Sequence, residues 1–138
     1  MHRACVQCPA GGGLSATPHN VTSWSLSHAW ASGSATSTLH DLQIWAKALA
    51  TGQLVSPVAH QEQLSFTLQS QHGYGLGVTN FFPGFVGHDG GDPGFQSFMG
   101  YQPQTGATII VLTNLYPASD GGLSADPLAA IILKELFV

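Results

Sequence analysis

Residues 84–114 read GFVGHDGGDPGFQSFMGYQPQTGATIIVLTN. Three apolar runs, GFVGHDG, FQSFMGYQ and TIIVLTN, are separated by two turn signals. Asp92-Pro93-Gly94 is the first turn, since an aspartate can bond its own backbone there. Pro103 and Gly106 mark the second. Strands joined by connections this short pair antiparallel. The last run is almost continuously apolar, the pattern of a strand covered on both faces.

Upstream, YGLGVTNFF alternates at Tyr74, Leu76 and Val78 and predicts a further strand over that stretch. Before it the period is helical. Thr38 can cap a helix with Asp41 as its capping-box acid, and Leu42, Trp45, Ala46 and Leu49 then share a face. Gly52 suits the position just past its end. Ser56-Pro57 opens a second, short helix ending near Ser65. The chain closes on a third helix, with Asp126 as N-cap, Pro127 in the first turn, and Leu128, Ile131, Ile132 and Leu136 inward. The order α-α-β-β-β-β-α predicts an α+β fold: an antiparallel sheet flanked by helices. A sheet covered on both faces needs more than these helices supply. An N-terminal portion outside residues 1–138 is therefore expected to complete it. Residues 1–22 carry no periodicity and read as an irregular leader, with the folded part over 23–138.

The chain has 138 residues and a formal charge of −4, and only 7% of its residues are charged. That is far below the roughly 25% of an ordinary domain. Arg3, Lys47 and Lys134 are its three basic residues, which leaves no footprint for nucleic acid. No apolar run approaches the ~18 residues of a membrane span. Cys5 and Cys8 form one CxxC, but the nearby His2 and His19 give no common zinc spacing. Neither a metal nor a cofactor is expected. Asn20-Val21-Thr22 is a glycosylation sequon, a short pattern frequent by chance. Trp24, Trp30 and Trp45 are expected to pack, and His40, His60 and His72 to be solvated.

The chemistry concentrates at His88-Asp89-Gly90-Gly91. There is no GxSxG elbow, no Walker ending and no HExxH. A local triad of His88, Asp89 and Ser97 conflicts with strand geometry, because adjacent side chains point to opposite faces. Read without further context, His88 is a partly buried strand histidine and Ser37 and Thr38 are helix-start residues.

Four stretches, from about Ser23 to Asn114, together resemble the serine β-lactamase-like superfamily, in its class C, D-alanyl-D-alanine carboxypeptidase and esterase branch. WASGSATSTLHDLQIWAKALATGQLVSP is similar to that family's Gly-Ser-Thr-x-x-Asp-Leu helix followed by Gly-x-Leu-Leu-Ser-Pro. YGLGV resembles its Tyr-Gly-Leu-Gly strand. GHDGGDPGFQS resembles its Gly-His-x-Gly-x-x-Pro-Gly-Phe segment, and YQPQTGATIIVLTN its Pro-x-x-Gly hairpin and Val-Leu-Thr-Asn strand.

The resemblance implies a penicillin-binding-protein-like fold and serine acyl-enzyme hydrolysis of a small-molecule or peptide ester or amide, outside the cytoplasm. His88 would contact the catalytic hydroxyl network or a substrate carboxylate. Gly90 would leave the strand bare for the substrate backbone, and the Gly91 N–H would be half of an oxyanion hole. Asp89, in the middle of the motif, would disfavour anionic substrate groups if it points into the cleft; if it points away, that inference fails. The family's Ser-x-x-Lys and Tyr-x-Asn do not occur before His88. Without nucleophile and base there is no acyl-enzyme. The expectation is a C-terminal segment, inert alone, that needs its N-terminal portion or another chain along the sheet edge. The alternative is a non-catalytic remnant that binds a peptide beside His88.

Overall fold

The computed structural model describes residues 5–6, 19–67, 73–81, 84–118 and 122–137. Its frame is a five-stranded antiparallel sheet in the order β3-β4-β5-β6-β7. The strands are β3 (Gly73–Tyr74), β4 (Thr79–Phe81), β5 (Phe85–Asp92), β6 (Phe95–Gln102) and β7 (Ala107–Thr113). A separate pair, β1 (Cys5–Val6) with β2 (His19–Asn20), falls within the stretch expected to be irregular. The calls on His2, Arg3, Cys8 and His72 lie outside the described residues, as does the side chain of Cys5.

Helix α2 (Leu39–Ala50) follows a one-turn helix, α1 (Trp30–Gly33). As the sequence predicts, the Thr38 side chain accepts the Asp41 N–H at its N-terminus, and Gly52 adopts φ +68 just past its end. Helix α3 (Pro57–Gln63) is capped by Ser56, which accepts from the Ala59 N–H. Helix α4 (Ala125–Phe137) closes the chain.

The two longer helices cover opposite faces of the sheet. Ala46 and Ala50 of α2 pack with Val78, Val86, Met99 and Tyr101. Ala125, Ala129 and Leu133 of α4 pack with Phe81, Phe85, Phe98 and Ile109. Alternation along β5 explains the division: Phe85 faces α4 and Val86 faces α2. The side chain of Phe85 is fully buried, a burial that stabilises the fold by about 1.5–3 kcal/mol.

Four expectations fail here, wholly or in part. The strand predicted through Tyr74, Leu76 and Val78 is a hairpin. Gly75 and Gly77 turn the chain, with the Gly75 N–H bonded to the Val78 carbonyl and Gly77 at φ +71, so β3 and β4 are separate. The inward faces of α2 and α4 are those expected only in part: Leu42, Ala46 and Leu49 of α2 and Ile132 of α4 pack against the core, beside Ala50, Ala125, Ala129 and Leu133. Trp45, Leu128, Ile131 and Leu136 stand exposed instead, with Leu136 71% accessible. Trp24 and Trp30 are also exposed rather than packed. His60, expected to be solvated, lies beneath Gly52: a Cβ there would come within 2.5 Å of its ring.

Candidate active site

Strand β5 runs between β4 and β6, but β4 is short. It pairs with β5 only from Phe85 to Gly87. From His88 to Asp92, β5 is paired with β6 throughout, and among the described residues it has no strand on its other side. The motif singled out in the sequence therefore lies on an open strand edge. His88, Gly90 and Asp92 share one face, the α2 face; Asp89 and Gly91 share the other.

His88 is held at both ring nitrogens. Nδ1 bonds the backbone carbonyl of Asp89, and Nε2 stands 3.0 Å from the Tyr74 hydroxyl. The carbonyl can only accept, so Nδ1 carries a proton. In the neutral imidazole Nε2 is then the acceptor and Tyr74 the donor, an assignment that follows from the bonding network. The two rings meet edge to face at 5.7 Å. The Asp89 carboxylate is 3.9 Å from Nδ1, outside hydrogen-bonding range. Asp89 thus orients His88 through its main chain. Ser97 sits across from Gly90 on β6.

The two glycines differ in their surroundings. A Cβ on Gly91 would lie 2.9 Å from the Tyr116 ring, so Gly91 is small because Tyr116 lies beneath it. A Cβ on Gly90 would find its nearest neighbour, Ser97 Oγ, at 3.6 Å, which is ordinary contact. The space over Gly90 on the His88 face is left open by this chain's own packing.

On the opposite face, Asp89 is paired across the ladder with Phe98 and approaches Asp126 in the first turn of α4. Burial, then the Asp89 charge and a side-chain hydrogen bond with Asp89, push the Asp126 carboxyl up to about 6, against a lowering bond from Gln96. Asp126 Oδ1 is buried with no donor in the described structure. Two carboxylates cannot bond each other unless one is protonated, and a proton on Asp126 supplies the missing donor.

Gln96 joins this pair to the helix. Its side chain is buried; Nε2 donates to Asp126 Oδ2 at 3.2 Å, and Oε1 accepts from the Ser124 and Ala125 N–H groups at 2.5 and 2.6 Å. The start of α4 is therefore capped from β6. The sequence predicted Asp126 as its N-cap and Pro127 as its first residue, but the helix begins two residues earlier, at Ala125.

Sequence reading did not pair Tyr74 with His88, Gln96 with α4, or His28 with Asp92. In the last pair His28 Nε2 stands 3.0 Å from Asp92 Oδ1. No local pattern signals contacts across such chain separations. Among the described residues no three His, Cys, Asp or Glu side chains cluster as a metal site, and no helix is long and apolar enough to cross a membrane.

Residues 3–134 match the sequence model of the beta-lactamase family, and the chain belongs to that family. The match begins within the stretch expected to be a leader. The fold superposes on a D-stereospecific amidohydrolase from Streptomyces sp. with a TM-score of 0.78 at 25% identity, covering 99% of this chain and 39% of that one. It also superposes on the D-amino acid amidase of Ochrobactrum anthropi SV3, solved with L-phenylalanine amide, with a TM-score of 0.70 at 24% identity, over 96% of this chain and 43% of that one. The chain thus spans about two fifths of these solved structures. No curated protein sequence matches it. The α+β sheet-and-helix architecture expected from the sequence is the architecture these proteins share.

Proposed function

We propose that this chain forms the His88 wall of a serine hydrolase cleft that cleaves an amide or ester by an acyl-enzyme route, with the nucleophilic serine supplied from outside residues 1–138. The observation that carries the reading is His88, fixed at both nitrogens, on a strand edge left open from His88 to Asp92. An extended substrate can lie along that edge, with Gly90 bare on the His88 face and the Gly91 N–H as a donor to the carbonyl oxygen that gains charge. Asp89 enters mainly through its carbonyl, which sets the His88 tautomer. Between amidase, carboxypeptidase, β-lactamase and esterase activity, the resemblance to an amidohydrolase and to an amidase favours an amidase.

Exposed Ile44, Trp45, Ile131 and Leu136 give the missing portion, or a second chain, apolar surface to cover. The same open edge also supports the second reading, a non-catalytic module that binds a peptide as an added strand. The test is labelling by a fluorophosphonate, before and after adding a separately expressed N-terminal segment of a relative that carries Ser-x-x-Lys. This chain alone should take no label and hydrolyse no amide. Stoichiometric serine labelling of residues 1–138 overturns the reading. Restored hydrolysis that is lost in His88→Ala supports it over the binding module.

A further inference from the structure

Asp92 ends β5 on the same face as His88 and Gly90. Its side chain is only 18% exposed, and the segment around α1 covers it. His28 holds Oδ1 at 3.0 Å, while Oδ2 lies 3.8 Å from where a Gly33 side chain would begin. Among the described residues no Lys or Arg pairs with this carboxylate; its side-chain partner is His28. Asp92 also directly follows Gly91 on the strand, about 3.3 Å of rise further on. In an amino acid amide the α-nitrogen is two bonds from the carbonyl oxygen's carbon. A carbonyl placed at the Gly91 N–H, in a substrate that runs toward the end of β5, brings that nitrogen beside residue 92.

We infer that Asp92 is the subsite for a cationic amino group, so that the cleft takes amides or esters of amino acids with a free α-ammonium in preference to N-acylated ones. This rests on the cleft reading above. The partial cover strengthens the carboxylate's hold on a cation, and acylation of the nitrogen removes both its charge and two of its donors. His28 competes for Oδ1, leaving Oδ2 to the incoming group.

The test is titration of the isotopically labelled chain with D-phenylalanine amide and with N-acetyl-D-phenylalanine amide, followed by the amide signals of Gly90, Gly91 and Asp92. The free amine should bind at least roughly 10-fold more tightly, the effect of one charge-assisted hydrogen bond. Asp92→Asn should bring the ratio to about 1, and Glu62→Gln, a charge removed from α3, should leave it unchanged. His28→Ala, at an exposed position, should keep or raise the preference, which covers the case of Asp92→Asn failing to fold. Equal affinities in the parent chain, a preference that survives Asp92→Asn, or one lost in His28→Ala overturns the inference while the cleft stands. If neither compound moves the β5 signals, with or without the added Ser-x-x-Lys segment, the cleft reading itself falls, and the subsite with it.

Discussion

Tyr74 and His88 meet across the open end of the sheet, the phenol oxygen 3.0 Å from Nε2 and the rings edge to face. Tyr74 comes from the short hairpin that stops pairing with β5 just before His88. The same feature that opens the strand edge thus delivers the group that holds the imidazole. Tyr74→Phe keeps the ring contact and removes the bond. Because Tyr74 is exposed, the loss should be small, about 0.5–1 kcal/mol in urea unfolding. The informative readout is the His88 ring: the Nε2 shift should move as its donor is lost, while Nδ1 stays protonated on the Asp89 carbonyl. An unchanged Nε2 shift would show that Tyr74 does not donate to it.

Gln96 should be costly to remove. It caps α4 and bonds Asp126 from a buried position. Gln96→Ala strands those donors and leaves a cavity, for an expected loss of about 2–4 kcal/mol by denaturant unfolding. Gln96→Glu keeps the shape but adds a third carboxylate to Asp89 and Asp126. It should be destabilised at pH 7 and recover toward pH 4, as carboxyls protonate.

Asp126 sets a pH dependence. Burial and the Asp89 charge raise its carboxyl to about 6, so between pH 3.8 and about 6 the folded chain keeps a proton that the unfolded chain has lost. The stability this group contributes is complete below pH 3.8 and is lost as pH rises through about 6. Asp126→Asn supplies a permanent donor to Asp89 without titrating. The variant should gain stability over the parent at pH 7, and the gap should close toward pH 4. A gap independent of pH would show that Asp126 does not titrate in this window.

The two glycines separate folding from function. Gly91→Ala drives a methyl against the Tyr116 ring and should cost about 1–3 kcal/mol, read as a lowered Tm. Gly90→Ala meets nothing closer than 3.6 Å and should leave Tm within a few degrees while weakening any ligand along the β5 edge. Equal Tm losses at the two positions would remove the distinction.

Much of the architecture is legible in local pattern. Thr38 with Asp41 starts α2, Ser56-Pro57 starts α3, and the turns at Pro93-Gly94 and Pro103–Gly106 divide β5, β6 and β7, because caps and turns are satisfied by neighbours a few residues away. The family resemblance was carried by such local strings, and the His-x-Gly segment was readable as a candidate site. Packing direction was not. Trp45 and Ile131 carry a helical apolar period yet face outward, since that period marks an apolar stripe without saying which surface will cover it. The partners of the site side chains were also out of reach. Tyr74 on His88, His28 on Asp92 and Gln96 on the start of α4 join residues from 14 to 64 positions apart. Hydrogen bonds at that range exist only once the sheet has set its register, so the residue types were present in the sequence while their pairings were decided by the folded sheet.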